Sequence, residues 1–416
     1  MPAPKNRPAA PERVGPMQTR KERRETVELF GRAFANPTWM ERYVDKALYK
    51  GPIFHAEHTR VTIVDGRVAA GVVMGPRMVR FGPVKVPAMT VGPVGTHDAF
   101  RKQGCASAAM NDASTYMAEN GFLVAYLQGI NDFYHRFGYY PFMGSTTLTF
   151  KRDAAKKQSL PGRFRAMRRK DMPAVRRLYE AVTASRICAS ARDKEVWDWL
   201  TGPASRTWLF RHPRVIVDAH GRLCGYSTVP MDTQRYQGEL LVRQDETSCR
   251  VALGALVGAA RRGEMKELIL PLPWDDALSV FIRQFVGGDS KMSANANGGP
   301  MLKVVDFPAL MRKLQPLFSR RWQRANTALL GARFTLESEI GSIGIAAGPE
   351  GVRMEAPENG RRVVIPQRWL SGLLTGYHAV RHVAARQGAA VPSELMPVME
   401  ILFPAGWPFV YQGDNY

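Results

Sequence analysis

Residues 89–142 constrain the fold of this 416-residue chain more than any other stretch. An apolar run, Met89-Thr90-Val91-Gly92-Pro93-Val94, leads into Arg101-Lys102-Gln103-Gly104-Cys105-Ala106. Ala106, Ala109/Met110, Ala113 and Tyr116/Met117 then recur at three and four residues, which predicts a helix over 104–119 closed by Gly121 as a left-handed cap. Phe122–Leu127 reads as a buried strand, and Phe133-Tyr134-His135-Arg136-Phe137-Gly138-Tyr139 follows. The Arg-x-x-Gly-x-Ala unit therefore stands where a strand ends and a helix begins. The first turn of a helix has unpaired N–H groups and the positive end of the helix dipole, so such a junction suits an anion such as a diphosphate.

The flanking pattern is that of a layered α/β chain. Residues 1–18 are rich in Pro, Ala and Arg and read as a disordered tail. Glu22–Phe34 has helical spacing, and Val61–Val64 and Val68–Met74 flank Asp65-Gly66-Arg67, a strong hairpin signal. Met78–Val86 reads as a further strand pair around Gly82-Pro83. The same order recurs: a helix at Met172–Val182, a hairpin around Gly221, an Ala- and Leu-rich helix at Cys249–Arg262, and a strand at Leu268–Leu272. The second copy has Gln244-Asp245-Glu246-Thr247 where the first has its glycine turn, and those acids would repel a diphosphate. Asp289–Gly299 is a polar break, after which Met301–Val305, Leu310–Leu314, three short strands over 334–354 and a helix at Trp369–Val380 form a third region.

Composition narrows the function classes. No apolar run approaches the roughly 18 residues of a membrane span, and the N-terminus has no apolar signal core, so a cytoplasmic protein is expected. Cys105, Cys188, Cys224 and Cys249 lack metal-ligand spacing, so free thiols and no metal site are expected. The net charge of +21 suits a nucleic-acid or anionic surface, but the basic residues lie along the whole chain rather than in one aromatic-interleaved patch, which disfavours nucleic acid.

The 101–106 turn together with Tyr134 resembles the GNAT acetyltransferases. Arg192-Asp193 with Trp197 and Trp199, Gly298-Gly299 with Met301 and Asp306, and the Leu402-Phe403-Pro404 and Asp414-Asn415-Tyr416 finish are similar to the enhanced-intracellular-survival family of bacterial acetyltransferases. The resemblance covers about residues 20–416. It implies tandem GNAT folds, active over 19–150 and degenerate over 151–302, then a sterol-carrier-like domain over 303–416. It also implies acetyl-CoA as cosubstrate, an amine acceptor (aminoglycoside-like, polyamine-like or a protein lysine) and a homo-oligomer, by family a hexamer. The turn Gln128-Gly129-Ile130-Asn131-Asp132 departs from the acidic, Ser- and Gly-rich turn of the mycobacterial aminoglycoside-modifying members.

On this resemblance Arg101, Lys102, Gln103, Gly104, Cys105 and Ala106 cradle the diphosphate, and Val94, Gly95 and Thr96 offer a strand edge to the pantetheine arm. Tyr134 is the expected general acid, since an ordinary Tyr stays protonated at pH 7. The family's general base is the chain's C-terminal carboxylate, here that of Tyr416. Asp132, Asp414 and His97 are the reserve groups. Two other classes compete with the enzyme: a basic nucleic-acid-binding protein, and a lipid carrier with a vestigial acetyltransferase.

Overall fold

The computed structural model describes residues 10–202, 210–325 and 331–414. Its largest sheet grows from the two turns legible in the sequence. Strand Thr59–Val64 turns at Asp65 and Gly66, at φ 50° and 64°, into the long strand Arg67–Phe81. Positive φ at both central residues matches the right-handed twist of the flanking strands. Arg67–Phe81 turns at Gly82 into Val84–Thr96, and the helix Cys105–Glu119 then crosses over to Val124–Gly129, which runs parallel to Val84–Thr96.

The first helix, Arg20–Ala33, is capped by the Thr19 side chain and buries Leu29 and Phe30 on the sheet. Two glycines permit this contact. A Cβ at Gly95 would lie 2.6 Å from Leu29 Cδ2, and one at Gly71 would lie 3.3 Å from Phe30 Cζ. The expected tail is ordered in part: Arg13–Pro16 pairs antiparallel with Thr59–Val64 as an edge strand. Its backbone completes an otherwise open edge, an interaction that composition does not register, and Pro16 sits at the strand's end where a missing N–H costs no ladder bond.

The two halves exchange strands. Ser145–Lys151 leaves the first half and pairs between Glu267–Leu270 and Asp289–Ser293 of the second. Gly299–Val304 returns to the first sheet, between Val124–Gly129 and Tyr140–Pro141. The polar break expected over 289–299 thus begins with a strand, and linear cuts near 150 and 302 do not separate the two sheets. Buried Leu148 and Phe150 match the second core, and buried Met301, Leu302 and Val304 match the first.

The second half repeats the order of the first with helices Met172–Thr183 and Glu246–Arg262. Its strands Leu240–Val242 and Glu267–Leu270 lie in different sheets. The third region is a four-stranded sheet, Ala332–Ser338, Gly341–Gly348, Gly351–Glu355 and Arg362–Val364, packed by helix Phe307–Arg324. The helix expected over 369–380 stops at Thr375, because Gly376 takes φ 81°. This region shares one core with the first sheet: Phe81, Val124 and Tyr126 lie in the same cluster as Leu310, Phe318 and Phe403. Each large apolar side chain fully buried in it contributes roughly 1.5–3 kcal/mol. The architecture is α/β, as expected.

Candidate active site

The site is an opening in the first sheet. Val84–Thr96 pairs with Val124–Gly129 only through Ala88, Met89 and Thr90. Beyond Thr90 the two strands part. Val91, Val94, Gly95 and Thr96 stay paired with Arg67–Phe81 on one side, while the edge facing Val124–Gly129 has no ladder partner among the described residues. Val94, Gly95 and Thr96 thus stand on an open strand edge. Gly95 has a second role absent from the sequence reading, since its missing Cβ admits Leu29.

The gap leads to the helix start. Lys102 takes φ 60° and Gly104 takes φ 85°, and the helix begins at Cys105 with no side-chain cap and no acid in its first turn. The first intrahelical bond runs from the Ala108 N–H to the Gly104 carbonyl at 2.9 Å, so the N–H groups of Cys105, Ala106 and Ser107 have no intrahelical acceptor. A Cβ built on Gly104 meets nothing within 4 Å. These features fit an anion: oriented donors, the dipole's positive end and open space before them. Arg101 and Lys102 are exposed beside the turn, Arg101 paired with Asp98 at 2.8 Å, and the Gln103 side chain donates to the Ala99 carbonyl at 2.9 Å. Cys105 is a packing residue: it is buried, burial pushes its thiol up, and its carbonyl accepts from the Thr62 hydroxyl.

Tyr134 opens the short helix Tyr134–Phe137, which ends at Gly138 with φ 81°. It packs in one cluster with Val91 from one side of the gap, Leu127 from the other, and Met110 and Ala113 of the crossover helix. Gly129 makes room for it, since a Cβ there would lie 3.0 Å from Tyr134 Cδ2. Burial pushes its phenol up to about 12, so it is protonated throughout the physiological range.

Side chains alternate along a strand, so Tyr126 and Gln128 point away from the Leu127 face. On that opposite face the end of the chain arrives. The Tyr126 hydroxyl donates to the Asp414 carbonyl at 3.3 Å. The Asp414 carboxylate, fully buried, accepts from Arg192 Nε at 2.9 Å, Arg192 Nη2 at 3.0 Å and the Tyr179 hydroxyl at 3.1 Å. Arg192 also forks onto Glu239, with Nη1 to Oε1 at 2.9 Å, and lies 4.0 Å from the Tyr179 ring centre. Asp414 is therefore an anchor rather than a holder of a substrate amine, a correction to its reserve role; its partners lie 222 and 235 residues away in the chain. Tyr416 lies outside the described residues. A cavity of about 400 Å³ opens on the same face, bounded by Gln128, Met143, Glu239, Phe409 and Tyr411.

The remaining reserve groups have local tasks. His97 Nδ1 accepts from the Ala99 N–H at 3.2 Å, a cap for the turn beyond the strand. Asp132 is exposed, takes φ 60° and accepts from the Asn297 side chain. In the second half the corresponding helix is closed by Asp245, whose carboxylate accepts from the Ser248 N–H at 2.8 Å, so that end presents an acid where the first presents bare donors.

Residues 17–142 match the family model described as an acetyltransferase (GNAT) domain. The fold is similar along almost its whole length to three solved structures. A probable N-acyltransferase from Enterococcus faecalis V583 shares 16% identity at a TM-score of 0.74, over 97% of this chain and 99% of that one. A GCN5-related N-acetyltransferase from Anabaena variabilis shares 14% at 0.73, and Eis1 from Mycobacterium abscessus 19% at 0.65, each over 97% of this chain and 100% of the other. No curated protein sequence matches at a significant level. The chain carries a GNAT acetyltransferase domain and is an N-acetyltransferase.

Proposed function

We propose that this N-acetyltransferase moves the acetyl group of acetyl-CoA to a primary amine by direct attack in the opened sheet. The observation that carries the proposal is the uncapped helix end at Gly104 facing the gap beyond Thr90, with Tyr134 packed against both of its sides. The N–H groups of Cys105, Ala106 and Ser107 hold the diphosphate, with Arg101 and Lys102 adding charge. The free edge of Val94–Thr96 binds the pantetheine arm, and an N–H on it polarises the thioester carbonyl.

The amine enters from the Tyr126–Gln128 face and attacks the carbonyl carbon; the C–N bond forms, the C–S bond breaks, and the ammonium proton passes to a base. The family resemblance assigns that base to the carboxylate of Tyr416, and the anchoring of Asp414 two residues earlier supports the assignment. Tyr134 acts at the sulfur. Burial holds its phenol protonated at about 12 and raises the leaving thiolate by the same loss of water, so the phenol donates to the sulfur as C–S breaks and passes it the proton, regained afterwards from water.

Thiol release from acetyl-CoA with a mixed amine panel tests this, comparing wild type, Tyr134→Phe and a chain ending at Asp414. Turnover in wild type that falls in both variants, with CoA binding retained, supports the roles together. Turnover untouched by the truncation removes Tyr416 as base.

A further inference from the structure

We infer that the strand Asp289–Ser293 pairs antiparallel with the same strand of a second copy of this chain, about a two-fold axis at Ser290, joining two three-stranded sheets into one of six. The inference stands apart from the acetyl-transfer reading and does not depend on it. Asp289–Ser293 is the outer strand of its sheet: one side pairs with Ser145–Lys151, and the other has no ladder partner among the described residues. All five of its residues are exposed. A bare edge of this kind is a template for another strand. Two large apolar side chains stand in water beside it, Met292 at 43% exposed within the strand and Phe285 at 50% just before it. Its last residue, Ser293, bounds the cavity that opens at Gln128, so a paired copy runs along the outside of that wall.

The charges on the edge select the occupant. Proteins blunt a free edge with lysines or other like charges, which repel an incoming copy. Here Asp289 and Lys291 have opposite signs, and neither has an ion pair or a side-chain hydrogen bond among the described residues. They lie two apart, so both side chains stand on one face of the sheet. An axis at Asp289 or at Lys291 would set like charges opposite each other. The axis at Ser290 sets Asp289 opposite Lys291 of the partner subunit, and symmetry repeats the pair. The edge is therefore complementary to itself in that register. A ladder of five residues a side is a small interface, so the dimer is weak, with a Kd on the order of 10 μM.

The test uses the full chain. Sedimentation equilibrium from about 1 to 200 μM is expected to show reversible dimerisation. Asp289→Lys and Lys291→Asp each set like charges opposite one another and should weaken it at least about tenfold, and the double exchange should restore it to within about threefold of wild type. Ser290→Cys puts a thiol on the axis, with Cα atoms about 4.5–5.5 Å apart and within disulfide reach. In the control Ser293→Cys the two thiols lie about 20 Å apart in this register. The native cysteines are buried and do not compete. Mild oxidation should therefore link the Ser290→Cys chains at least about tenfold faster than the Ser293→Cys chains. Every substituted position is exposed, so each variant keeps the wild-type melting temperature. A monomer over the whole range overturns the inference. So does an association that the single charge reversals leave unchanged, one that the double exchange fails to restore, or equal cross-linking of the two cysteine variants.

Discussion

Gly104→Ala isolates the phosphate cradle from the fold. The substitution has one intrinsic cost, because an L side chain at φ 85° strains the backbone by about 1–2 kcal/mol. It has no steric cost in the protein, since the added Cβ meets no atom within 4 Å. Gly121, beyond the other end of the same helix, is a matched control: its φ is 73° and its added Cβ also meets nothing within 4 Å. At about 2.1 cal/mol/K per residue, cooperative unfolding of the whole chain has an entropy near 0.9 kcal/mol/K, so each variant lowers Tm by roughly 1–2 °C. Only the Gly104 methyl stands where backbone donors face the proposed diphosphate. Gly104→Ala is therefore expected to weaken CoA binding at least about tenfold, or about 1.4 kcal/mol, by calorimetry. Gly121→Ala should leave CoA affinity at the wild-type value. If the two variants bind CoA alike, the anion is not held at this helix end and the cradle argument fails.

Tyr134→Phe should lower kcat about 100-fold or more while leaving stability within about 0.5 kcal/mol, because Phe keeps the ring packed among Val91, Met110 and Leu127; chemical denaturation beside steady-state kinetics checks both. With its phenol up at about 12, Tyr134 stays protonated in the fold while the unfolded chain ionises from about 10, so stability should fall above pH 10, less steeply in Tyr134→Phe. Asp414→Asn leaves Arg192 paired with Glu239 and should cost about 1–3 kcal/mol of stability. Removing Asn415–Tyr416 should then slow turnover far less in Asp414→Asn than in wild type; equal slowing in both backgrounds would separate the anchor from catalysis. Burial lowers the His58 imidazole to about 4, so the unfolded chain takes up a proton first and stability should fall as pH drops from about 6.5 toward 4. In His58→Gln that slope should flatten in urea titrations across the window.

The local elements were legible because short-range physics fixes them. Asp65-Gly66 and Gly82 announced turns, the three-and-four spacing from Ala106 to Met117 announced a helix, and Arg101–Ala106 announced an uncapped helix start. The place of Tyr134 just beyond the apolar strand, and an acid at the start of the helix Glu246–Arg262, where Asp245 caps it, were legible in the same way. The end of the helix at Thr375 was missed because the left-handed Gly376 breaks an apolar pattern that continues past it. The strand Arg13–Pro16 was missed because composition does not report which edge needs a partner.

Sequence by itself determined the hairpin at Asp65-Gly66, the crossover helix and which helix end is bare, since turn residues, capping groups and periodicity act over a few positions. Tertiary structure alone decided which edges pair. Ser145–Lys151 and Gly299–Val304 each carry an apolar face that either sheet could bury, and only the assembled cores select between them. It also decided the partners of Asp414: Arg192, Glu239 and Tyr179 are brought to it from far along the chain, by burial that leaves a charge no alternative to a partner. The cavity between Gln128 and Tyr411 has the same origin, since its walls come from segments that meet only when all three regions have packed.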